Sequence, residues 1–151
     1  MDEMYEMAIQ EDHSKLKGAD CVGADCVVIA TGTEVEIAIA GARALAADTG
    51  KRVAVVSAPC LEVFAEQPAE YQRALLPPGA AVVSIEASAV AGWEKYAHAW
   101  VGLTTFGLSA PAPDVYKALN ITAEAVAAKG KALMAHYGGA APAVPAVAPR
   151  F

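Results

Sequence analysis

A tight turn between an apolar run and a helical pattern is the first place where this sequence could bind a ligand. The run CVVIA at 26–30 is followed by Thr31, Gly32 and Thr33, and helical periodicity begins after them. If the run is a parallel strand, backbone amides and the positive end of a helix meet there at the carboxyl edge of a sheet, where anions bind. The turn therefore supports the hypothesis of a small-anion or nucleotide site at Thr31, Gly32 and Thr33.

Two features of the same turn oppose that hypothesis. Glu34 adds negative charge to the first helical turn, and the stretch lacks both the three glycines of a dinucleotide fingerprint and the lysine of a phosphate-binding loop. A capped helix after a tight turn also explains these residues, because Thr33 and Glu36 stand in capping-box register. We favour the capped helix and keep the anion site as the alternative.

The cysteines form no recognisable metal or catalytic motif. Cys21, Cys26 and His13 are loosely spaced, with no fourth ligand nearby, so a metal site has little support. Three cysteines in a chain without a secretory signal favour free thiols. Cys60 follows a proline at a predicted strand end, where a helix N-terminus would lower its pKa, but a buried and unreactive thiol is the simpler interpretation.

Other ionisable residues are interpreted as structural. Glu86 closes a predicted strand, where a carboxylate can bind a ribose, a cation or a basic partner. A contact with Lys95 or Arg73 explains it equally, and we favour that contact. His98 and His136 stand in no dyad or metal motif, and the serines lack the flanking glycines of a hydrolase nucleophile.

Composition and charge exclude several classes of protein. The 151 residues are 56% apolar and 19% charged, a balance typical of one packed domain. The net charge of −6 would repel a nucleic-acid backbone. No apolar run approaches the roughly 20 residues needed to cross a bilayer. We predict a cytoplasmic protein with no nucleic-acid or membrane partner.

Four apolar runs alternate with helical patterns, which predicts an α/β fold. The runs CVVIA, VAVVSA, AAVVSIEA and VGLTTF are typical of buried parallel strands. The aromatic residues of GWEKYAHAW form either core or a partner surface. Three regions result, namely a weakly structured N-terminal segment at 1–26, an α/β domain at 27–137 and a Pro/Ala-rich tail at 138–151 that is predicted to be disordered.

The motifs, in order, resemble one known family. IATGTEVEIA, VVSAPCLEVFAEQPAEYQRALLPP, VSIEA, GWEKYA and TTFGLSAPAPDVYKALNITAEAVAAKGKAL are similar to the C-terminal domain of transketolases, over about residues 27–135. Each motif alone is weak, but five in the right order and spacing are distinctive. The resemblance implies a three-layer sandwich, in which helices flank a mostly parallel five-stranded sheet.

The resemblance also implies a function for a parent enzyme. Transketolases move a two-carbon ketol unit between sugar phosphates in the pentose phosphate pathway, as homodimers, with thiamine diphosphate and a divalent cation such as Mg²⁺. The diphosphate signature, GDG followed by paired asparagines, is absent from this sequence. No catalytic, cofactor-binding or metal-binding residue is therefore carried over. The chain is expected to be inactive alone and to act as an assembly or regulatory domain with the remaining transketolase domains or subunits.

Some alternatives stay open at the level of sequence. The stretch to Cys26 does not resemble the usual interdomain linker, so a fragment, a truncated version and a separate subunit are all compatible with it. A free-standing anion or nucleotide module is the alternative function. Pyruvate dehydrogenase β subunits and deoxyxylulose-phosphate synthase share the domain architecture, but the GWEKYA and SAPAP motifs favour transketolase.

Overall fold

A parallel sheet forms the centre of the structure, a computed structural model that describes residues 7–9 and 21–148. The described strands have the order β1-β3-β2-β4-β5, and every neighbouring pair is parallel. The strands are β1 (Met7–Ile9), β2 (Cys26–Ala30), β3 (Val53–Ser57), β4 (Ala81–Ala89) and β5 (Ala99–Leu103). The helices are α1 (Glu34–Thr49), α2 (Leu61–Glu66), α3 (Ala69–Leu75), α4 (Ala112–Ala118) and α5 (Ala123–Tyr137), and a short 3₁₀ turn spans Trp93–Lys95.

Helices cover both faces of the sheet, which confirms the predicted α/β sandwich. Every residue of β2 is buried, as its uninterrupted apolar run predicts. One face of the central strands, with Ile29 at its middle, packs against α2, α3 and the 3₁₀ turn. The other face, with Val28 at its middle, packs against α1 and α5. The strand predictions are confirmed within a few residues at each end.

Two glycines let α1 and α5 approach each other closely. A Cβ built on Gly41 would lie 2.7 Å from the Cβ of Val126 and 3.0 Å from the carbonyl oxygen of Ala123. A Cβ built on Gly130 would lie 2.5 Å from the Cδ2 of Leu45. The backbones of the two helices therefore meet where side chains are absent, and this fixes α5 against the sheet.

The start of α1 differs from the predicted capping box. Thr33 has a helical backbone, with φ −69° and ψ −24°, and its side chain caps no amide. Its hydroxyl donates instead to the carboxylate of Glu34 at 3.0 Å. The prediction was wrong because an N-cap needs an extended backbone to aim its oxygen at the amides. Thr122 has that backbone, with φ −138° and ψ 160°, and accepts from the amide of Ala125 at the start of α5.

The N-terminal segment contributes to the fold, which its composition did not indicate. β1 lies within that segment and pairs with β3. Cys21 and Ala24 are buried in the core, and the carboxylate of Asp25 accepts from the amide of Arg52 at 3.0 Å. β1 is the fifth strand of the sheet, whereas the apolar runs predicted four.

The tail is ordered as far as the structure describes it, so the prediction of disorder is wrong for 138–148. Gly79 and Ala141 exchange two backbone hydrogen bonds of 2.9 and 3.3 Å. Val144 and Val147 are 2% and 4% exposed and pack against the core that contains Ile29. Spaced valines anchor this segment without helical or strand periodicity, which is why the sequence pattern gave no signal. Residues 149–151 lie outside the described residues.

His98 joins this tail to the sheet. Its Nδ1 accepts from the amide of Val82 at 2.9 Å, so its Nε2 carries the proton and donates to the carbonyl of Pro142 at 2.8 Å. Burial lowers the pKa of His98, and the bond to Pro142 opposes that shift in part. The structure therefore requires a neutral imidazole.

Replacing His98 should weaken the fold in a pH-dependent way. His98→Ala leaves the amide of Val82 without its acceptor, so we expect the free energy of unfolding at neutral pH to fall by about 1–2 kcal/mol. Because the folded pKa lies below the unfolded value of about 6.5, the contribution is complete above pH 6.5 and is lost as the pH falls through the folded pKa. Urea titrations at pH 7.5 and pH 5 should show a smaller difference between the two proteins in acid. An equal difference at both pH values would contradict the neutral bridge.

No helix in the described parts of the chain combines the length and the apolar character that a bilayer crossing requires.

Candidate functional site

The direction in which the chain adds strands to the sheet reverses between β2 and β4. From β2 the chain proceeds to β3 on one side, and it then crosses back to β4 on the other side. The connections after β2 and β4 therefore diverge and leave a crevice, which is where α/β sheets usually bind ligands. Thr31 follows β2 at this point, and Glu86 lies in the last part of β4.

A cavity of about 590 Å³ occupies this crevice. We call it the switch-point cavity. The elements that surround it are the end of β2, helix α2, the last part of β4 and the 3₁₀ turn. The polar and aromatic residues of its lining are Thr31, Glu62, Glu86, Ser88, Trp93, Lys95 and Tyr96.

Two carboxylates lie near the edge, in different environments. The Glu34 side chain is 4% exposed, and its Oε1 accepts hydrogen bonds from Tyr116 Oη and from Thr33 Oγ1. The Oε2 of Glu86 is buried and has no hydrogen-bond partner within the described chain. Burial raises the pKa of Glu86, and the negative charge of Glu34 raises it further. One carboxylate is therefore satisfied, whereas the other lacks a donor.

The hydrogen bond between Tyr116 and Glu34 holds α4 against the start of α1. It also raises the pKa of Tyr116, chiefly because the acceptor is a carboxylate. Tyr116→Phe removes the donor and leaves Glu34 with Thr33 alone. We expect the free energy of unfolding to fall by about 1 kcal/mol, which a urea titration of both proteins would measure. An unchanged midpoint would show that the bond adds no stability.

The residues of the predicted anion site lie at the carboxyl edge of the sheet but do not converge on one point. Thr31 lines the switch-point cavity, whereas Gly32 and Thr33 are exposed on the turn before α1. The carboxylates of Glu34 and Glu86 oppose a negative ligand there. The anion site at Thr31, Gly32 and Thr33 stays a prediction.

The predicted structural contact of Glu86 with Lys95 or Arg73 was wrong. Among the described residues, no ion pair joins Glu86 to Lys95 or Arg73. The Nε of Arg73 donates instead to the carbonyl of Val147, and the Nζ of Lys95 lies 5.2 Å from the centre of the Tyr96 ring. Lys95 does line the same cavity as Glu86, but it does not neutralise the carboxylate.

The three cysteines of the described residues differ in their exposure. Cys21 and Cys26 are buried, and burial, followed by the charge of Asp25, raises the pKa of Cys26 to about 12. Cys60 is partly exposed and not buried as predicted, and its Sγ donates to a carboxylate oxygen of Glu62 at 3.4 Å. Across 7–9 and 21–148, no group of three or more His, Cys, Asp or Glu side chains could hold a metal ion. His13 lies outside the described residues.

The aromatic residues near the edge divide between core and surface. Trp93 and Tyr96 are each 6% exposed, and the ring of Tyr96 packs edge-on against Phe64 at 6.1 Å between centroids. Trp100 is half-buried beside the same cluster. The predicted aromatic group is therefore chiefly core, and Trp93 also forms part of the wall of the switch-point cavity.

The segment after β5 is exposed along its whole length. Residues 104–111 connect β5 to α4, and every residue from 104 to 114, which includes the start of α4, is exposed. Phe106 is 97% exposed and Leu108 is 56% exposed. We call 104–114 the exposed segment. It begins at the carboxyl edge of the sheet, and it contains the SAPAP motif.

Sequence reasoning missed the pairing of Tyr116 with Glu34, which are 82 positions apart. No local pattern links two such positions, because the contact depends on how α4 folds back over the edge. The only available signal was Glu34 itself, since an acidic residue in a first turn next to an apolar strand is a candidate for a buried partner.

Comparisons with known proteins agree with this architecture. The Transketolase-like TK C-terminal domain family matches residues 15–122. A transketolase of Cereibacter sphaeroides is 50% identical over 107 residues, which are 69% of this chain and 16% of that protein. The chloroplastic transketolase of Solanum tuberosum is 46% identical over 111 residues, which are 71% of this chain and 15% of that protein.

The solved structures give the same result. A transketolase from Leishmania mexicana superposes with a TM-score of 0.77 and 46% identity, over 82% of this chain and 18% of that chain. The chain thus spans less than a fifth of the length of each of these three relatives. A domain-sized match in sequence and in fold places this chain in the family of transketolase-like C-terminal domains.

Proposed function

We propose that this chain is an assembly domain of a transketolase and that the carboxyl edge of its sheet docks on the remaining domains or subunits. The observation that carries the proposal is the exposed segment. A phenylalanine that is 97% exposed, followed by a half-exposed leucine, is costly on a free surface and typical of an interface. This segment also contains part of the sequence that most resembles transketolases.

The activity proposed for the assembled enzyme follows from its relatives. Several proteins that match this chain are named transketolases. We propose that the assembled enzyme transfers a two-carbon ketol unit between sugar phosphates and forms a homodimer. A cytoplasmic location is part of the proposal, although the potato relative is named chloroplastic, so the family does not fix one compartment.

Thiamine diphosphate and its cation are proposed to bind outside this chain. The described residues contain no group of three metal ligands, and the carboxylates of Glu34 and Glu86 at the carboxyl edge would repel a diphosphate. The edge does not fit the cofactor. The proposed contribution of this chain is therefore to position and stabilise the parts that hold it.

A chimeric enzyme tests the proposal. This chain replaces the C-terminal domain of the Cereibacter sphaeroides transketolase, and transfer from a ketose phosphate donor to an aldose phosphate acceptor is measured with thiamine diphosphate and Mg²⁺. We expect activity well above that of the same enzyme without any C-terminal domain. A folded chimera that is no more active than the truncated enzyme would overturn the assembly role.

A further inference from the structure

The switch-point cavity holds a carboxylate that the chain itself does not satisfy. Glu86 lines the cavity, and its Oε2 is buried without a hydrogen-bond donor from the described residues. A buried acceptor without a donor costs about 1–3 kcal/mol, and more if it is charged. Ligands often bind at the switch point of an α/β sheet. A buried acceptor that lacks a donor at this position is therefore a candidate ligand-binding group, since a bound ligand could supply the donor.

No described side chain in the cavity lining donates to Oε2 of Glu86. The Lys95 ammonium lies above the ring of Tyr96, and the Ser88 hydroxyl is 3.4 Å from the carbonyl of Ala89. Glu62, the other carboxylate of the lining, is itself an acceptor, with the Cys60 thiol as its donor. Thr31 and Tyr96 also line the cavity, but neither donates to Oε2. This leaves the donor to be supplied by a group that binds in the cavity.

The charge and the walls of the cavity select the kind of donor. Two carboxylates and one ammonium line it, and the charge of Glu34 also acts on Glu86. This balance attracts a cation and repels an anion. Trp93 and Tyr96 add aromatic walls, which suit a flat cation, and the ring of Tyr96 already stands beneath the ammonium of Lys95.

We propose that the switch-point cavity binds a guanidinium or alkylammonium group, which donates to Glu86 and packs against Trp93. Two sources have this chemistry, an arginine or lysine side chain of the remaining transketolase domains and a free small organic cation. A planar guanidinium fits best, because it can donate a charge-assisted hydrogen bond to a carboxylate while its face rests on an aromatic ring. The proposal does not depend on the assembly role, since a free cation would bind this chain alone.

The first test is a titration of the ¹⁵N-labelled chain with n-butylguanidinium chloride. Neutral n-butylurea has nearly the same shape, and sodium phosphate tests the anion alternative. We expect the amide signals of Thr31, Glu86 and Ser88 to shift with the guanidinium and with neither other compound. Glu86→Gln should weaken the binding at least about tenfold, equivalent to the loss of one charge-assisted hydrogen bond.

Glu70→Gln is the matched control, because it removes the same charge from an exposed position outside the cavity lining. Binding by the isolated chain that requires Glu86 assigns the site to a free organic cation. If the chain alone does not bind, Glu86→Gln in the chimera should weaken the assembly at least about tenfold, and this assigns the site to a side chain of the other domains. Unchanged behaviour of Glu86→Gln in both experiments, or shifts with phosphate instead, would overturn the proposal.

Discussion

Gly41→Leu should lower the free energy of unfolding by about 3 kcal/mol or more, because the contact between α1 and α5 has no room for a side chain. Even the first carbon of a side chain at Gly41 would lie 2.7 Å from the Cβ of Val126 and 3.0 Å from a backbone oxygen of Ala123. Neither atom is at the end of a flexible side chain. Accommodation therefore requires α5 to move away from the face of the sheet that it covers.

Ala44→Leu is the matched control, because Ala44 is exposed on the same helix and leucine is almost as good a helix former as alanine. Gly130→Ala should also cost less than Gly41→Ala, since the obstacle at Gly130 is the Cδ2 of Leu45, which can rotate. Urea titrations of the four variants give the free energies. Equal stability of Gly41→Leu and Ala44→Leu would show that the two helices are not held by this close contact.

Phe106→Ser in the chimera should reduce the activity at least about tenfold at enzyme concentrations near the assembly midpoint, because a central aromatic anchor contributes 2 kcal/mol or more to many interfaces. The substitution should leave the stability of the isolated chain within about 0.5 kcal/mol, since the side chain is 97% exposed and makes few contacts there. The loss would therefore arise from docking and not from unfolding.

Val63→Ser provides the comparison for Phe106→Ser. Val63 is 44% exposed on α2, outside the exposed segment, and the same type of substitution there should leave the activity of the chimera unchanged. Sedimentation of both chimeras across a concentration series separates weaker assembly from slower chemistry. If Phe106→Ser retains full activity and normal assembly, the exposed segment is not the docking surface.

The regular elements of the domain could be predicted because local patterns determine them. Strand β2 is a continuous apolar run and is buried throughout. Helix α1 ends at Thr49 and is capped by Gly50, whose φ of +65° is the left-handed conformation that a glycine stop signal predicts. The family resemblance rests on the same local motifs. The length, order and spacing of these apolar runs were sufficient to predict the α/β sandwich.

The remaining features depend on contacts between distant positions. Nothing near 138–148 indicates that this segment packs against the core, because the bridge by His98 and the pairing of Gly79 with Ala141 arise only in the folded chain. The sequence placed Glu86 at the carboxyl edge. It did not show that Oε2 of Glu86 lacks a hydrogen-bond donor, because this depends on the orientations of the Lys95 and Arg73 side chains. Sequence spacing gives the position of a residue on a helix or strand. Whether a buried polar atom has a hydrogen-bond partner is decided by the packing around it.

Hydrogen exchange in the isolated chain and in the chimera tests the central claim most directly. The assembly role predicts that amides of 104–114 exchange rapidly in the isolated chain and become protected in the chimera, together with the turn at Thr31, while the opposite edge of the sheet stays unchanged. Protection confined to other surfaces, or exchange in 104–114 that is equally rapid in both proteins, would contradict the claim that this edge docks on the rest of a transketolase.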